Sequence, residues 1–239
     1  MIDVAEHGFF GLLESWNETH SIGNEDLLAA VLPLMQQVAE VHDAGQVAPL
    51  FPLAKLKTDH GHLFFIQTDA SAPASDRAVR SRKDLQAKSG IKVVSELRVT
   101  SDDTTGTNVH DAKVVEDAEA GPLFLTHYRS WEVEAGHHDP ITDIYGLGMI
   151  IGSLATGLDF RQKEQLETFI RYRSDLAQLN NRLSPVICRA IERMTELERF
   201  NRAQDMPTLI RAFENHRMIG SVFDNELTTS ASIGTEANL

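Results

Sequence analysis

Two groups of histidines carry the side chains that could bind a metal ion. His60 and His62 are separated by one residue, and His137 and His138 stand directly before Asp139. Imidazole and carboxylate groups are zinc ligands, but this spacing matches no established zinc site and the chain has no cysteine cluster. We therefore expect no metal site, with the first pair on an exposed turn and the second pair in a loop.

Cys188 is the single cysteine of the chain and its candidate thiol nucleophile. It falls on the apolar face of a predicted helix, where a free cysteine usually packs as a small hydrophobic residue. A single cysteine excludes an internal disulfide bond, and no N-terminal stretch has the residue order of a signal peptide. These features favour a reducing, cytoplasmic location.

The spacing of apolar residues predicts a mainly α-helical body with a smaller β component. Asn24 is expected to cap a long helix, and Pro33 is expected to kink it. Ser184 with Pro185, and Asp205 shortly before Pro207, are typical of helix starts. Further helices are predicted at residues 161–179, 184–197 and 205–213.

Two short β-hairpins are predicted in the first half of the chain. Residues 50–66 contain apolar runs on either side of an Asp-His-Gly sequence, which indicates two strands and a turn. Residues 91–99 and 112–115 are β-like runs around a polar turn. Between the hairpins, residues 70–90 are expected to form a loop or a short exposed helix.

Residues 142–148, which read Thr-Asp-Ile-Tyr-Gly-Leu-Gly, are the most informative stretch, and Ala-Thr-Gly at 155–157 follows them. This stretch resembles the Asp-x-(Trp/Tyr)-Ser-Leu-Gly segment that opens the central helix of protein kinases. A short turn ending in Thr-Gly commonly closes that helix, so the resemblance implies an ending at Gly157. Ser-Trp-Glu at 130–132 is similar to the family's Ala-Pro-Glu, and Arg202 lies where a family arginine pairs with that glutamate. The resemblance implies a buried ion pair between Glu132 and Arg202.

The residues before the first hairpin extend the resemblance. His42 and Gly45 match the Leu-His-x-x-Gly turn that leads into the kinase catalytic loop. Leu50, Lys55 and Gln67 then occupy the positions of the catalytic Asp, the magnesium-binding Asn and the Asp of Asp-Phe-Gly. Leucine accepts no proton and an ammonium group does not ligate Mg²⁺, so the resemblance implies a pseudokinase without a cofactor.

The expected fold is mainly α within the α+β class, a kinase C-terminal-lobe-like domain over residues 1–223. It includes a small β-hairpin and an enlarged activation-segment-like insert at 67–132, and residues 224–239 are a tail or linker. The family's nucleotide-clamping lobe is absent, so an apolar face is expected to need a partner. The resemblance implies that Asp143 holds the catalytic-loop backbone by hydrogen bonds and that Gly148 lies at a closely packed position of the central helix. The residues expected on the uncovered face are Phe51, Phe64 and Phe65.

The formal net charge of −13 opposes nonspecific binding to nucleic acid phosphates, which needs clustered basic residues. A basic strip is a local exception, interpreted either as a solvated loop or as a docking surface for an acidic partner or a nucleic acid strand. The strip consists of Arg77, Arg80, Arg82, Lys83, Lys88 and Lys92. The longest apolar run, residues 144–158, is too short and too glycine-containing to cross a bilayer.

The favoured function is a catalytically inactive interaction, scaffold or regulatory module of a larger bacterial protein. Its partner would be a protein or another domain of the same polypeptide, with homo-oligomerisation as a further expectation and no direct nucleic acid binding. The alternative is a divergent ATP-binding phosphotransferase that uses Asp59 or Asp69 for metal and Lys55 or Lys57 for phosphate. An unrelated helical domain working through the basic strip is a third interpretation.

Overall fold

The computed structural model describes residues 8–19, 22–66, 93–99, 109–114, 127–134 and 137–217 of the 239 residues. Within these residues it is mainly helical, with two small antiparallel hairpins, as the apolar spacing predicts. The helices are α1 (Phe9–Thr19), α2 (Asn24–Asp43), α3 (Trp131–Glu134), α4 (Pro140–Thr156), α5 (Lys163–Tyr172), α6 (Pro185–Met194) and α7 (Met206–Glu214). The strands are β1 (Leu56–Asp59), β2 (His62–Phe65), β3 (Val93–Val99) and β4 (Val109–Val114).

Helix α2 forms where apolar residues recur every three or four positions and meet the core on one face. Its cap differs from the prediction. Gly23 is the N-cap residue, and Asn24 is the first helical residue. The side-chain oxygen of Asn24 instead accepts a 2.8 Å hydrogen bond from the Ser184 N–H. The Asn24 side chain, which could have capped the helix, therefore bonds a distant segment instead. The buried residues of α2 are Leu27, Leu28, Ala30, Val31, Leu34, Met35, Val38 and Val41.

Helix α2 continues past Pro33 to Asp43. Proline has no N–H to bond the carbonyl oxygen four residues earlier, which belongs to Ala29. The Nδ1–H of His62 on β2 donates to that oxygen at 2.5 Å. The first hairpin therefore supplies the hydrogen bond that proline removes from the helix.

The first hairpin is confirmed, with β1 and β2 antiparallel and Asp59 opposite His62. Its turn residues, His60 and Gly61, have φ angles of 47° and 85°. Positive φ at both central residues is the pattern of a type I′ turn, which suits the twist of two paired strands. Glycine adopts this conformation readily, and histidine is among the residues enriched in it.

The second hairpin is also confirmed, with β3 and β4 antiparallel and Val99 opposite Val109. Strand β4 begins at Val109, earlier than the predicted residue 112. The basic strip, Gln67, Asp69 and the predicted tail at 224–239 lie outside the described residues.

Helix α4 is the predicted central helix, and almost every residue in it is buried. Asp139 caps its start, because the carboxylate accepts a 2.9 Å hydrogen bond from the Thr142 N–H. Gly157, at φ 71°, ends it in the left-handed conformation that glycine favours. The predicted ending at Gly157 is therefore confirmed.

The prediction of a single helix at residues 161–179 is wrong in its second half. Helix α5 ends at Tyr172, and a 3₁₀ segment, Arg173–Gln178, follows. Asp175 inside that segment has φ −144° and ψ 62°, which breaks the helical path. Apolar spacing does not distinguish an α-helix from a tighter 3₁₀ continuation, since both return side chains to the same face every three to four residues.

The last two helix starts are confirmed. The Ser184 hydroxyl accepts a 3.2 Å bond from the Ile187 N–H at the start of α6. The Asp205 carboxylate accepts a 3.1 Å bond from the Thr208 N–H at the start of α7. Each cap satisfies an N–H that the helix itself leaves without a partner.

Tyr128 fastens the segment before α3 to the end of α4. Its hydroxyl lies 3.0 Å from the Ser153 Oγ and accepts a 3.1 Å hydrogen bond from the Phe160 N–H. Its ring packs edge-on against Phe9 of α1, with the centroids 5.3 Å apart. Burial raises the pKa of the Tyr128 hydroxyl to about 12, so it keeps its proton at neutral pH. The segment that carries α3 is positioned by this contact.

The uncovered apolar face expected from the sequence is incomplete. Phe65 is only 2% exposed and belongs to the core, because β2 packs against α2 and the Phe65 N–H donates to the Gln37 side chain at 3.0 Å. Phe51 and Phe64 are half-buried, and the Arg129 guanidinium lies 5.5 Å from the centre of the Phe51 ring. Among the described residues, the exposed large hydrophobic side chains are Ile66 and Phe200.

Candidate functional site

Asp143 lies in the first turn of α4 and is 1% exposed. Its Oδ2 accepts a 2.7 Å hydrogen bond from the Ala48 N–H and lies 3.0 Å from the His42 Nε2. Its Oδ1 lies 2.5 Å from the His138 Nε2. We call these four residues the Asp143 cluster. It joins the end of α2, the segment that follows α2, and the loop before α4.

The end of α2 places His42 for this contact. Gly45, at φ 71°, reverses the chain after the helix, with the Gly45 N–H bonded to the His42 carbonyl at 2.9 Å. The Gln46 N–H bonds the Val41 carbonyl at 3.0 Å, so the last carbonyls of α2 are satisfied. The chain then passes directly over Asp143, where the Ala48 N–H points at the carboxylate.

Hydrogen bonds offset the free-energy cost of burying the Asp143 carboxylate. A buried charge without partners is strongly unfavourable. Hydrogen bonds to charged groups each contribute about 1.5–3 kcal/mol, and Asp143 engages three groups through its two oxygens. The cluster therefore fixes three separate segments around one side chain.

His138 is the cluster member with the most solvent contact, its side chain being 34% exposed. Burial lowers the pKa of His138, but the hydrogen bond and negative charge of Asp143 outweigh it, so the pKa is raised overall. The charge of Asp139 acts in the same direction and that of Arg129 opposes it. When His138 is protonated, its charge balances that of Asp143.

Leu50 lies two residues after Ala48 in the chain and is fully buried in the hydrophobic core. A leucine side chain in this position has neither a polar group nor access to solvent, so it cannot exchange a proton with a substrate. Lys55 lies exposed at the end of a short 3₁₀ turn, Leu53–Lys55. The resemblance aligns Leu50, Lys55 and Gln67 with catalytic positions of kinases. The structure describes Leu50 and Lys55, and Gln67 lies outside the described residues.

A second charged group lies buried beside the start of α4. Arg202 Nη1 is 2.8 Å from Glu132 Oε1, and both side chains are fully buried, which confirms the predicted ion pair. Arg199, 5% exposed, lies 3.4 Å from the same oxygen of Glu132 and also bonds Asp139. We call these four residues the Glu132 cluster. Two guanidinium groups balance two carboxylates, as a buried ionic group requires.

Asp139 joins the Glu132 cluster to the cap of α4. Burial alone would raise the pKa of Asp139, but hydrogen bonds from His137 and Arg199 hold it well below its usual range. His137 Nε2 lies 3.0 Å from the Asp139 carboxylate, and the His137 side chain is 1% exposed. The Nδ1 of His137 is buried without a hydrogen-bond partner among the described residues.

The other candidate residues are not brought together. In the part of the chain that the structure describes, no three His, Cys, Asp or Glu side chains are arranged to hold a metal ion. His60 is exposed on its turn and His62 bonds the Ala29 carbonyl. Cys188 packs against the core, and burial raises its pKa to about 11, so the thiol is neutral and weakly nucleophilic at neutral pH.

Sequence reasoning missed Arg199 and the contact of His138 with Asp143. Arg199 precedes Arg202 by three residues, and that spacing was the available signal that both side chains reach one carboxylate. His138 precedes Asp143 by five residues across a helix start, a separation that indicates no contact. Both clusters hold segments of the chain in place, because their carboxylates are buried and hydrogen-bonded to donors of the protein.

No protein-family model matches the chain, and no curated protein matches its sequence. Among the described residues, no helix combines the length and the apolar character needed to span a membrane.

Proposed function

We propose that this protein is a catalytically inactive, pseudokinase-like module that works by binding another protein or another domain of its own polypeptide. The proposal places it in a larger multidomain bacterial protein of the cytoplasm. It rests on the resemblance of the central helix to that of protein kinases, together with the geometry around Asp143.

The observation that supports the proposal is a backbone hydrogen bond to the buried Asp143 carboxylate, with a buried apolar residue, Leu50, two positions later. The Ala48 N–H bonds Asp143 at 2.7 Å, as expected of a kinase-like catalytic-loop backbone held from the central helix. Leu50, at the position of the catalytic base, is buried in the core. The backbone support is therefore present where the proton acceptor is replaced by an apolar side chain.

The Glu132 cluster supports the same proposal. In the kinase resemblance, Glu132 belongs to the Ala-Pro-Glu position and Arg202 is its partner. The 2.8 Å contact between their fully buried side chains joins segments 70 residues apart in the sequence. The resemblance implies this contact, and its presence therefore supports the proposal.

The proposed working surface is the enlarged segment at 67–132 with its basic strip. In kinases this segment faces the substrate, so an insert there would present a new surface on that side. A strip of basic residues on a chain with net charge −13 favours a partner with an acidic surface.

Thermal unfolding of the full chain with ATP, with and without Mg²⁺, tests the absence of catalysis. A ligand at about one hundred times its dissociation constant adds about 2.7 kcal/mol to the free energy of unfolding. We expect no shift in Tm. A magnesium-dependent rise of several degrees, lost in Lys55→Ala or Lys57→Ala, would overturn the proposal in favour of the divergent phosphotransferase.

Partner binding is tested by replacing the six basic residues of the strip with glutamine in the full chain. A partner purified with the parent chain should bind this variant more weakly and with less dependence on salt. The control variant replaces Lys163 and Arg171, which are exposed on α5. Equal binding by the parent chain and the strip variant would exclude the strip as the working surface.

A further inference from the structure

The two histidines of the Asp143 cluster differ in their access to solvent. The side chain of His42 is 10% exposed and that of His138 is 34% exposed, whereas the side chain of Asp143 is 1% exposed. Of the two imidazole rings, His138 therefore exchanges protons with water more directly. It does so while in contact with a carboxylate that water does not reach.

The proton on His138 changes the charge next to Asp143. An ionised carboxylate only accepts hydrogen bonds, so the Nε2 atoms of both histidines donate to it. His138 Nε2 lies 2.5 Å from Oδ1, and His42 Nε2 lies 3.0 Å from Oδ2. A ring can donate from Nε2 whether it is neutral or protonated. Loss of the second proton from His138 therefore leaves the contact in place but removes a positive charge beside a buried negative one.

The charged groups around His138 act on its protonation in both directions. Burial lowers the pKa of His138, whereas the hydrogen bond and charge of Asp143 and the charge of Asp139 raise it. The charge of Arg129 lowers it, and the pKa is raised overall. The other titratable or charged groups that bond these two carboxylates are His42, His137 and Arg199.

Asp143 also holds the segment that follows α2. Its Oδ2 accepts a 2.7 Å hydrogen bond from the Ala48 N–H. Two residues later, Leu50 is fully buried in the core. The ring of Phe51 lies against α4 at Gly146, where a Cβ would be 2.8 Å from the ring. The bond from Ala48 therefore holds in place a stretch of chain that covers α4 with apolar side chains.

We infer that the Asp143 cluster is a proton-sensitive clamp, in which protonated His138 holds residues 46–51 against α4 and loss of that proton makes these residues open more often. In the closed state Asp143 is kept from water and depends on a compensating charge, whereas in the open state water solvates the carboxylate. A proton that binds the closed state more tightly favours closure at low pH, and this effect is lost as pH rises. Opening uncovers the Phe51 ring and the surface of α4 beneath it. The inference does not depend on the proposed function, because it uses only the contacts of the Asp143 cluster.

The test is amide hydrogen exchange of the full chain, measured by NMR at pH 6 and pH 9 and corrected for the pH dependence of the intrinsic exchange rate. The protection factor of the Ala48 N–H reports how often its segment opens. We expect it to fall by about fivefold from pH 6 to pH 9 in the parent chain, the usual effect of one hydrogen bond. The Ile150 N–H, in the middle of α4, should be protected more strongly at both pH values, because the segment opens without unfolding of the helix.

Variants assign the pH dependence to one ring, after melting curves show that each is folded. His138→Gln keeps an N–H donor but does not titrate, so its Ala48 protection should be the same at both pH values. His138→Lys keeps a positive charge and should also lose the pH dependence. His42→Gln makes the matched change at the less exposed ring and should retain the dependence. His60→Gln, on an exposed turn, should behave as the parent does.

The inference is overturned if Ala48 protection in the parent is equal at the two pH values, or if it falls equally in His138→Gln and His138→Lys. Loss of the pH dependence in His42→Gln alone would assign the proton to the other ring and also overturn it. Equal protection of the Ala48 and Ile150 amides would show that the segment opens only on complete unfolding, which contradicts a local clamp.

Discussion

At the scale of single residues, Asp143 shows how one carboxylate organises distant parts of the chain. One oxygen engages both His42 and the Ala48 N–H, and the other engages His138. These groups come from the end of α2, the segment after it and the loop before α4. Because the carboxylate is buried, the loss of any donor leaves charge less well compensated. The same reasoning applies to Glu132.

The Glu132–Arg202 pair yields the first prediction. Glu132→Ala or Arg202→Ala should lower the free energy of unfolding by about 3 kcal/mol or more, because the partner left behind is a buried charge. Chemical denaturation measures the change. Lys163→Ala provides the control, since its pair with Glu167 is exposed and should contribute no more than about 0.5 kcal/mol. Unchanged unfolding of both cluster variants would contradict the assigned role of the pair.

His138 yields a prediction about pH. Its pKa is raised in the folded chain, so the folded state binds a proton more tightly than the unfolded state does. The stabilisation is complete below the unfolded pKa of about 6.5 and is lost as pH rises through the folded pKa. The stability difference between the parent and His138→Gln should therefore be larger at pH 6 than at pH 9.

Denaturation at each pH measures that difference. His60→Gln, which removes an imidazole from an exposed turn, controls for the general loss of a histidine. Parallel pH profiles for the parent and His138→Gln would show that the contact with Asp143 does not depend on protonation.

At the scale of elements, α4 packs against α1, α2 and α6. Its glycines allow close approach on different sides: a Cβ at Gly148 would lie 2.6 Å from the Met194 Cβ, and one at Gly152 would lie 2.7 Å from the end of the Phe169 ring. A Cβ at Gly146 would lie 2.8 Å from the Phe51 ring. The apolar, glycine-containing sequence of α4 therefore suits a helix surrounded by other elements.

The glycines of α4 make a matched pair for mutation. Gly148→Ala should destabilise the protein by about 1–3 kcal/mol, because the new methyl group meets the Cβ and backbone of Met194, which cannot rotate away. Gly152→Ala meets the far end of a ring, so we expect a smaller loss, partly offset by the helix propensity of alanine. Melting curves measure both variants, and a greater loss for Gly152→Ala would refute this ranking.

Pro33 and His62 form a coupled pair between α2 and the first hairpin. Pro33→Ala restores an N–H for the Ala29 carbonyl, so His62 is no longer required to bond it. His62→Ala should cost about 1 kcal/mol in the parent and much less in the Pro33→Ala background. Denaturation of the four chains of this double-mutant cycle measures the coupling, and additive effects would show that the two residues act independently.

At the scale of the whole molecule, the early and late parts of the chain close against each other. The Asn24 side chain bonds the Ser184 N–H, and the Asn180 side chain bonds the Ile22 carbonyl. Helix α2 packs against α7, and Glu25 bonds Arg217 at the surface. Contacts between sequence-distant segments therefore determine the fold.

Local sequence determined much of the secondary structure. The caps at Ser184 and Asp205, the turn at His60 and Gly61, and the ending at Gly157 are confirmed, because each depends on interactions within a few residues. The burial of the Glu132–Arg202 pair was predicted through the family resemblance alone, since nothing local relates these residues.

Only the tertiary structure decided which distant groups meet. It placed His138 and the Ala48 N–H on Asp143, added Arg199 to the Glu132 cluster and directed His62 to the carbonyl left by Pro33. It also buried Phe65, for which the sequence predicted an exposed face. Apolar periodicity specifies the face that a helix or strand buries, but the partner of a polar side chain depends on the packing of segments far apart in the chain.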